Sequence, residues 1–154
     1  MNVPLLFLSR EVLVETTRLL QSVQHSECVV LWLAAREAEQ LTVKEVYRPA
    51  QKASEDYFEI PRESMAAIMQ RLRQKSLSIA AQIHTHPQRA FHSAADERWA
   101  IVRHVGALSV VIPEFARRTT PDSFFDQSAV FRLNESGRWQ QITLVNDVIS
   151  VKGH

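Results

Sequence analysis

The stretch Leu77-Ser-Ile-Ala-Ala-Gln-Ile83-His84-Thr85-His86-Pro87-Gln-Arg-Ala-Phe-His92-Ser93-Ala-Ala-Asp96 decides how the rest of the chain is read. Leu77 to Ile83 is a mostly apolar run suited to a buried strand that ends at His84. A loop then leads to Ser93, which suits the N-cap of a helix expected to run to about His104. Side chains alternate along an extended segment, so His84 and His86 point the same way and both imidazoles can reach one ion. Asp96 falls one turn into the expected helix, and the loop can fold it back to complete a set of two imidazoles and one carboxylate. Three protein ligands leave zinc a fourth position for water, whose pKa the ion lowers to about 7 while it polarises a carbonyl oxygen. Taken alone, an H-x-H followed by an Asp is modest evidence and more often reads as strand-end histidines with a helix-capping carboxylate.

On the N-terminal side, Ser9 and Glu11 followed by Val12, Leu13, Leu19, Leu20 and Val23 predict a helix near residues 10–24. Cys28 to Ala34 is a continuous apolar run for a buried strand, and Leu41 to Tyr47 alternates like a strand with one wet face. The polar Ala35 to Gln40 between them reads as a hairpin loop. After Pro49 a polar stretch leads to Tyr57-Phe58-Glu59-Ile60, and Pro61 suits the first turn of a helix marked by Met65, Ile68, Met69 and Leu72.

On the C-terminal side, Leu108 to Ile112 is a further buried strand stopped by Pro113. Glu114 to Gln127 has no period and is expected to be a surface loop. Ala129 to Leu133 and Trp139 to Leu144, joined by Asn134-Glu-Ser-Gly137, form an expected β-hairpin. Trp32, Trp99 and Trp139 are expected in packing roles. His25, His92 and His104 are expected at the surface. Helices intermixed with strands and hairpins give an α+β (α/β) class with a mixed sheet.

At 154 residues, with no linker, repeat or low-complexity tract, the chain is expected to form one domain, 1–154. Its 18 Lys and Arg against 17 Asp and Glu leave no broad field for nucleic acid or an anionic membrane, so neither is an expected partner. The one cysteine, Cys28, cannot form an internal disulfide, which suits a reducing compartment and a cytoplasmic protein. The apolar run Leu5 to Leu8 is too short and lacks the basic flank of a signal peptide, and no stretch approaches the roughly 20 apolar residues of a membrane span.

The spelling His84-Thr-His86-Pro87, five residues, then Ser93-Ala-Ala-Asp96 resembles the JAMM (MPN+) zinc metalloprotease family, whose signature is H-x-H-P followed after five residues by S-x-x-D. That family also carries a glutamate at the start of the strand after its first helix, in an E-C-x-G-x-L-x-G setting. Ser26-Glu27-Cys28-Val-Val30-Leu-Trp-Leu-Ala34 occupies that place, with Val30 and Ala34 or Ala35 where the family has glycine. The resemblance spans about Glu27 to Pro113 and implies a single MPN/JAB-like domain, a mixed sheet flanked by helices in an architecture like that of cytidine deaminases. It implies one Zn2+ on His84, His86 and Asp96, with Glu27 as general base and Ser93 supporting the oxyanion. Glu27 begins a buried strand, where an unpaired carboxylate would be costly, and Glu37, Glu39 and Glu45 fit that position poorly. Thr85 and Pro87 are expected to shape the loop. The motif spelling also resembles AMSH-type deubiquitinases, but one cysteine does not supply their second, structural zinc site.

The resemblance further implies a peptidase or isopeptidase that cuts after the C-terminal tail of a ubiquitin-like protein, working beside ubiquitin-activating and ubiquitin-conjugating homologues. Two insertions would then flank the site, Lys52 to Asp56 with Tyr57, Phe58, Glu59 and Ile60 as substrate-binding residues, and Glu114 to Gln127. The alternatives are an MPN scaffold without metal, or a JAMM hydrolase of a sulfur-carrier protein or small peptide. A zinc deaminase needs H-x-E with P-C-x-x-C, which a single cysteine excludes.

Overall fold

The computed structural model describes residues 3–23, 25–53, 58–90 and 101–153. Strand β1 (Leu6–Ser9) runs directly into helix α1 (Arg10–Gln21), with Ser9 at the N-cap and Glu11 in the first turn, where the helix dipole favours a carboxylate. Strands β2 (Val29–Glu37) and β3 (Gln40–Tyr47) form a hairpin, and the short strands β4 (Lys52–Ala53) and β5 (Phe58–Glu59) form a second, small sheet. Helix α2 (Arg62–Lys75) precedes β6 (Ser78–Thr85), and β7 (Leu108–Ile112), β8 (Ala129–Leu133), β9 (Trp139–Ile142) and β10 (Ile149–Lys152) complete the chain.

Eight of these strands form one mixed sheet in the order β10-β1-β3-β2-β6-β7-β8-β9. The long central strand β2 pairs antiparallel with both β3 and β6, while β6 pairs parallel with β7. Alternation along β2 sends Val30, Trp32 and Ala34 to one face and Val29, Leu31 and Leu33 to the other. The first face packs on α1 through Val12, Leu13 and Leu20, and the second on α2 through Ile68, so both faces of the centre are covered. The Trp32 indole N–H donates to Thr16 Oγ1 at 2.9 Å, and that hydroxyl donates to the Val12 carbonyl at 2.6 Å, so the helix accepts the one polar atom of the buried ring.

Several boundaries differ from those expected. The first helix stops at Gln21, short of residue 24. The Ala35–Gln40 loop shrinks to a two-residue turn at Ala38 and Glu39, because Ala35 to Glu37 continue β2 and pair with Thr42, Leu41 and Gln40. Pro61 is the N-cap of α2 and not its first helical residue, while Met69 lies on that helix's exposed side. Leu5 to Leu8, set aside as a failed leader, supplies most of β1, which parallel pairing with β3 and β10 places inside the sheet. Residues 101–104 are not helical, so the helix expected to run from Ser93 to about His104 does not reach His104, and residues 91–100 lie outside the described residues. No helix among the described residues is long and apolar enough to cross a membrane.

Candidate metal centre

Strand β6 carries His84 and Thr85 to the end of the sheet, where His86 continues the ladder by donating its N–H to Ile112 O at 2.9 Å. His84 and His86 are both buried, and their rings face each other with centroids 5.1 Å apart and planes inclined by 53°. Glu27, just before β2, is 3% exposed, and its Oε1 lies 4.0 Å from His86 Nε2. Two imidazoles and a carboxylate, far apart in sequence, thus converge within the protein.

Local geometry explains the convergence. Thr85 donates its backbone N–H to Cys28 O at 3.0 Å, and its Oγ1 accepts the Cys28 N–H at 3.0 Å. The residue between the two histidines is therefore fastened to the residue after Glu27. Beyond β3, Pro49 has no N–H to offer β2, and the Gln51 side chain takes over as a substitute strand. Its Oε1 accepts the Val29 N–H at 2.9 Å, and its Nε2 donates to Val29 O at 3.0 Å and Pro49 O at 2.8 Å.

A tight turn closes the other side. Glu114, Phe115 and Ala116 have φ of 55°, 53° and 63°, a left-handed run without glycine. It lets the Glu114 N–H reach Gln88 O at 2.7 Å and the Phe115 N–H reach His86 O at 2.9 Å. Gln21 at the end of α1 donates Nε2 to Ala116 O and Thr119 O, each at 2.9 Å, tying the turn to the helix. The stretch expected as a surface loop thus opens on a turn fastened to the end of β6 and to α1, and it buries Phe115, Ala116 and Phe124. On the face of β6 that also carries His84, fully buried Gln82 accepts the Ile101 N–H at 2.9 Å and donates to Ser109 Oγ at 3.1 Å, fixing where the chain returns after residues 91–100.

Ser93, Asp96, His92 and Trp99 lie outside the described residues, as does Tyr57. Among the described residues no three His, Cys, Asp or Glu side chains form a metal-holding group. The two imidazoles that do converge are nitrogen donors of the kind a divalent ion of borderline softness takes, and they leave its remaining positions to other groups. Glu37 and Glu45 are engaged elsewhere, Glu37 with Lys44 and Glu45 with Arg71 and Lys75. Glu39 occupies the hairpin turn, and His25 and His104 are exposed. Backbone N–H donors are satisfied by the Gln51, Gln82 and Thr85 side chains, roles that carry no sequence motif.

No family model matches the sequence. The chain is 30% identical over 123 residues to a protein of Sinorhizobium fredii described as "Probable metalloprotease y4jG", a match covering 77% of this chain and 74% of that protein. The chain therefore belongs to the family of that probable metalloprotease. The solution structure of protein DSY2949 from Desulfitobacterium hafniense matches the fold with a TM-score of 0.65 at 17% identity, over 97% of this chain and 94% of that one.

Proposed function

We propose that the chain is a zinc-dependent peptidase or isopeptidase of the JAMM (MPN+) type. The observation that most supports this reading is the burial of His84, His86 and Glu27 in one cluster at the end of β6, in a relative of a probable metalloprotease. His84 and His86 would hold the ion with Asp96. Zinc, when bound, lowers the pKa of a water to about 7 and polarises the scissile carbonyl.

The chain's own groups then do the proton work. Glu27 takes a proton from the attacking water and returns it to the leaving amine, a task suited to a carboxylate held within reach of the ligand cluster but free of ligation. Ser93 donates a hydrogen bond to the oxyanion. Burial around Glu27 and His86 keeps bulk solvent from competing for those protons.

The substrate of this reading is the extended C-terminal tail of a ubiquitin-like protein. The β4–β5 pair supports it, because this two-stranded sheet stands apart from the main sheet, with Lys52 opposite Glu59 and Ala53 opposite Phe58. A two-stranded ribbon has a free edge to which an extended chain adds by main-chain hydrogen bonds. Tyr57, Phe58, Glu59 and Ile60 are the proposed binding residues, and ubiquitin-activating and ubiquitin-conjugating homologues the proposed pathway partners. The test is a cleavage assay on fusions of ubiquitin-like proteins ending in Gly-Gly, run beside casein. Zinc-dependent cutting after the terminal glycine is expected. Casein cut as readily as the fusion would overturn the substrate, and protein that neither retains nor takes up zinc would overturn the enzyme class.

A further inference from the structure

A cavity of about 440 Å³ lies at the pole of the sheet opposite the histidine pair. Ser78 lines it and His84 does not, and these residues stand at the two ends of β6, about 20 Å apart along an extended strand. The cavity follows from element lengths. Helix α1 has 12 residues and spans about 18 Å, whereas the nine residues of β2 extend to about 30 Å. The helix covers Trp32, and beyond it the same face carries the small side chains of Ala34 and Ala80, which leave space unfilled. Leu6, Leu41, Leu108 and Val148 make the apolar wall.

One side is closed by Val3, which can approach only because residue 106 is glycine. A Cβ there would stand 2.8 Å from Val3 Cγ1, and its φ of +91° is itself a glycine conformation. The lining also carries exposed Arg36 near the end of β2 and half-buried Arg132 on β8. Arg10, Arg18, Arg71 and Arg118 each meet a carboxylate, but Arg36 and Arg132 form no ion pair or hydrogen bond among the described residues. Asp147 is on the same rim and forms no ion pair with either. A half-buried guanidinium beside apolar walls, with its fork of donors unused, is the usual receptor for a carboxylate or phosphate group.

We propose that this cavity binds a small amphipathic anion, a short apolar body carrying a carboxylate or phosphate group that the Arg36 and Arg132 guanidiniums receive. The volume is in the range of small-molecule sites, which combine mostly apolar walls with a few placed polar groups. The proposal does not depend on the metal reading, since none of its residues belongs to the histidine cluster.

The test is titration of the whole chain with octanoate, octyl phosphate and octylamine, followed by amide NMR shifts at Ser78 and Gly106. Saturable shifts with either anion and none with the amine are expected, and the tighter of the two identifies the headgroup. Arg36→Gln with Arg132→Gln should weaken binding at least about tenfold, the loss that follows when charge-assisted hydrogen bonds are removed. Ala80→Val, which fills the space, should do the same. Should Ala80→Val fail to fold, the arginine variant decides alone. Absence of saturable shifts, equal binding of octylamine, or undiminished binding in the arginine variant would overturn the proposal.

Discussion

Thr85 and Cys28 exchange two hydrogen bonds of 3.0 Å, one from each backbone N–H, with the Thr85 carbonyl replaced by its hydroxyl as acceptor. That exchange places the strand end bearing the histidines beside the chain that bears Glu27. Thr85→Val keeps the shape and removes the acceptor, leaving a buried N–H without a partner at a cost of about 1–3 kcal/mol. The expected result is a lower denaturation midpoint together with a lower kcat, because Glu27 is no longer held beside His86. Thr85→Ser, which keeps the oxygen, should restore most of both. Full activity in a destabilised Thr85→Val would show that the bond serves stability alone.

Glu27 and the histidines should separate cleanly under substitution. A base that touches only water is dispensable for holding an ion, so Glu27→Gln should keep one metal per chain and lose on the order of 10² to 10⁴ in rate. His86→Ala should lose both. Metal analysis by mass spectrometry beside a rate assay distinguishes the two, and a Glu27→Gln enzyme running at the parental rate would assign the base to another carboxylate. Because two packed faces hold the fold, chelation should abolish activity with little change in far-UV circular dichroism, unlike a zinc finger.

The central strands and α2 were legible because their signals are local. The apolar runs at Val29 to Ala34 and Leu108 to Ile112 are long enough to read as strands buried on both faces. The H-x-H on β6 was equally local, since alternation alone places both rings on one side. What escaped depends on partners distant in sequence. Leu6 to Ser9 is a strand only because β3 and β10 accept it, and β10 has no pattern of its own. Gln51 and Gln82 look like any polar residue until the unpaired backbone groups of Val29 and Ile101 are seen beside them.

Cys28 reports on the same region through pH. Burial pushes its thiol above the ordinary value of 9.0, with the Arg48 charge drawing it partly back. A thiol that resists ionising when folded binds more protons than the unfolded chain once pH passes that ordinary value. Stability from this group is therefore complete below about pH 9 and declines above it, through the window up to the raised folded value. Urea denaturation across this alkaline range should show the decline, and Cys28→Ala, although less stable throughout, should show a shallower one. Native protein at pH 7.5 should also resist iodoacetamide until denatured, since the side chain is fully buried. Rapid native alkylation would mean that the Glu27 end of β2 opens.

The left-handed run Glu114-Phe115-Ala116 is held against its own preference. Each residue in that conformation costs roughly 1–2 kcal/mol when it bears a Cβ, and three in succession persist only where surroundings over-determine them. Here the determinants are the bonds to His86 O and Gln88 O and the burial of Phe115 and Ala116. Glu114→Gly removes the Cβ at φ 55°, at the loss of only an exposed Glu114–Arg118 ion pair, which contributes little. Stability should rise by about 1 kcal/mol, or about 2–4 °C in midpoint for a chain of this size. Freed backbone at residue 114 would also loosen the amide that grips Gln88, and with it the segment that carries His86. Metal affinity, measured by competition with a chromophoric chelator, should then fall several-fold even as the fold becomes more stable. A turn that merely joined β7 to the following loop would give the gain in midpoint with unchanged affinity, and that outcome would remove it from the machinery of the site.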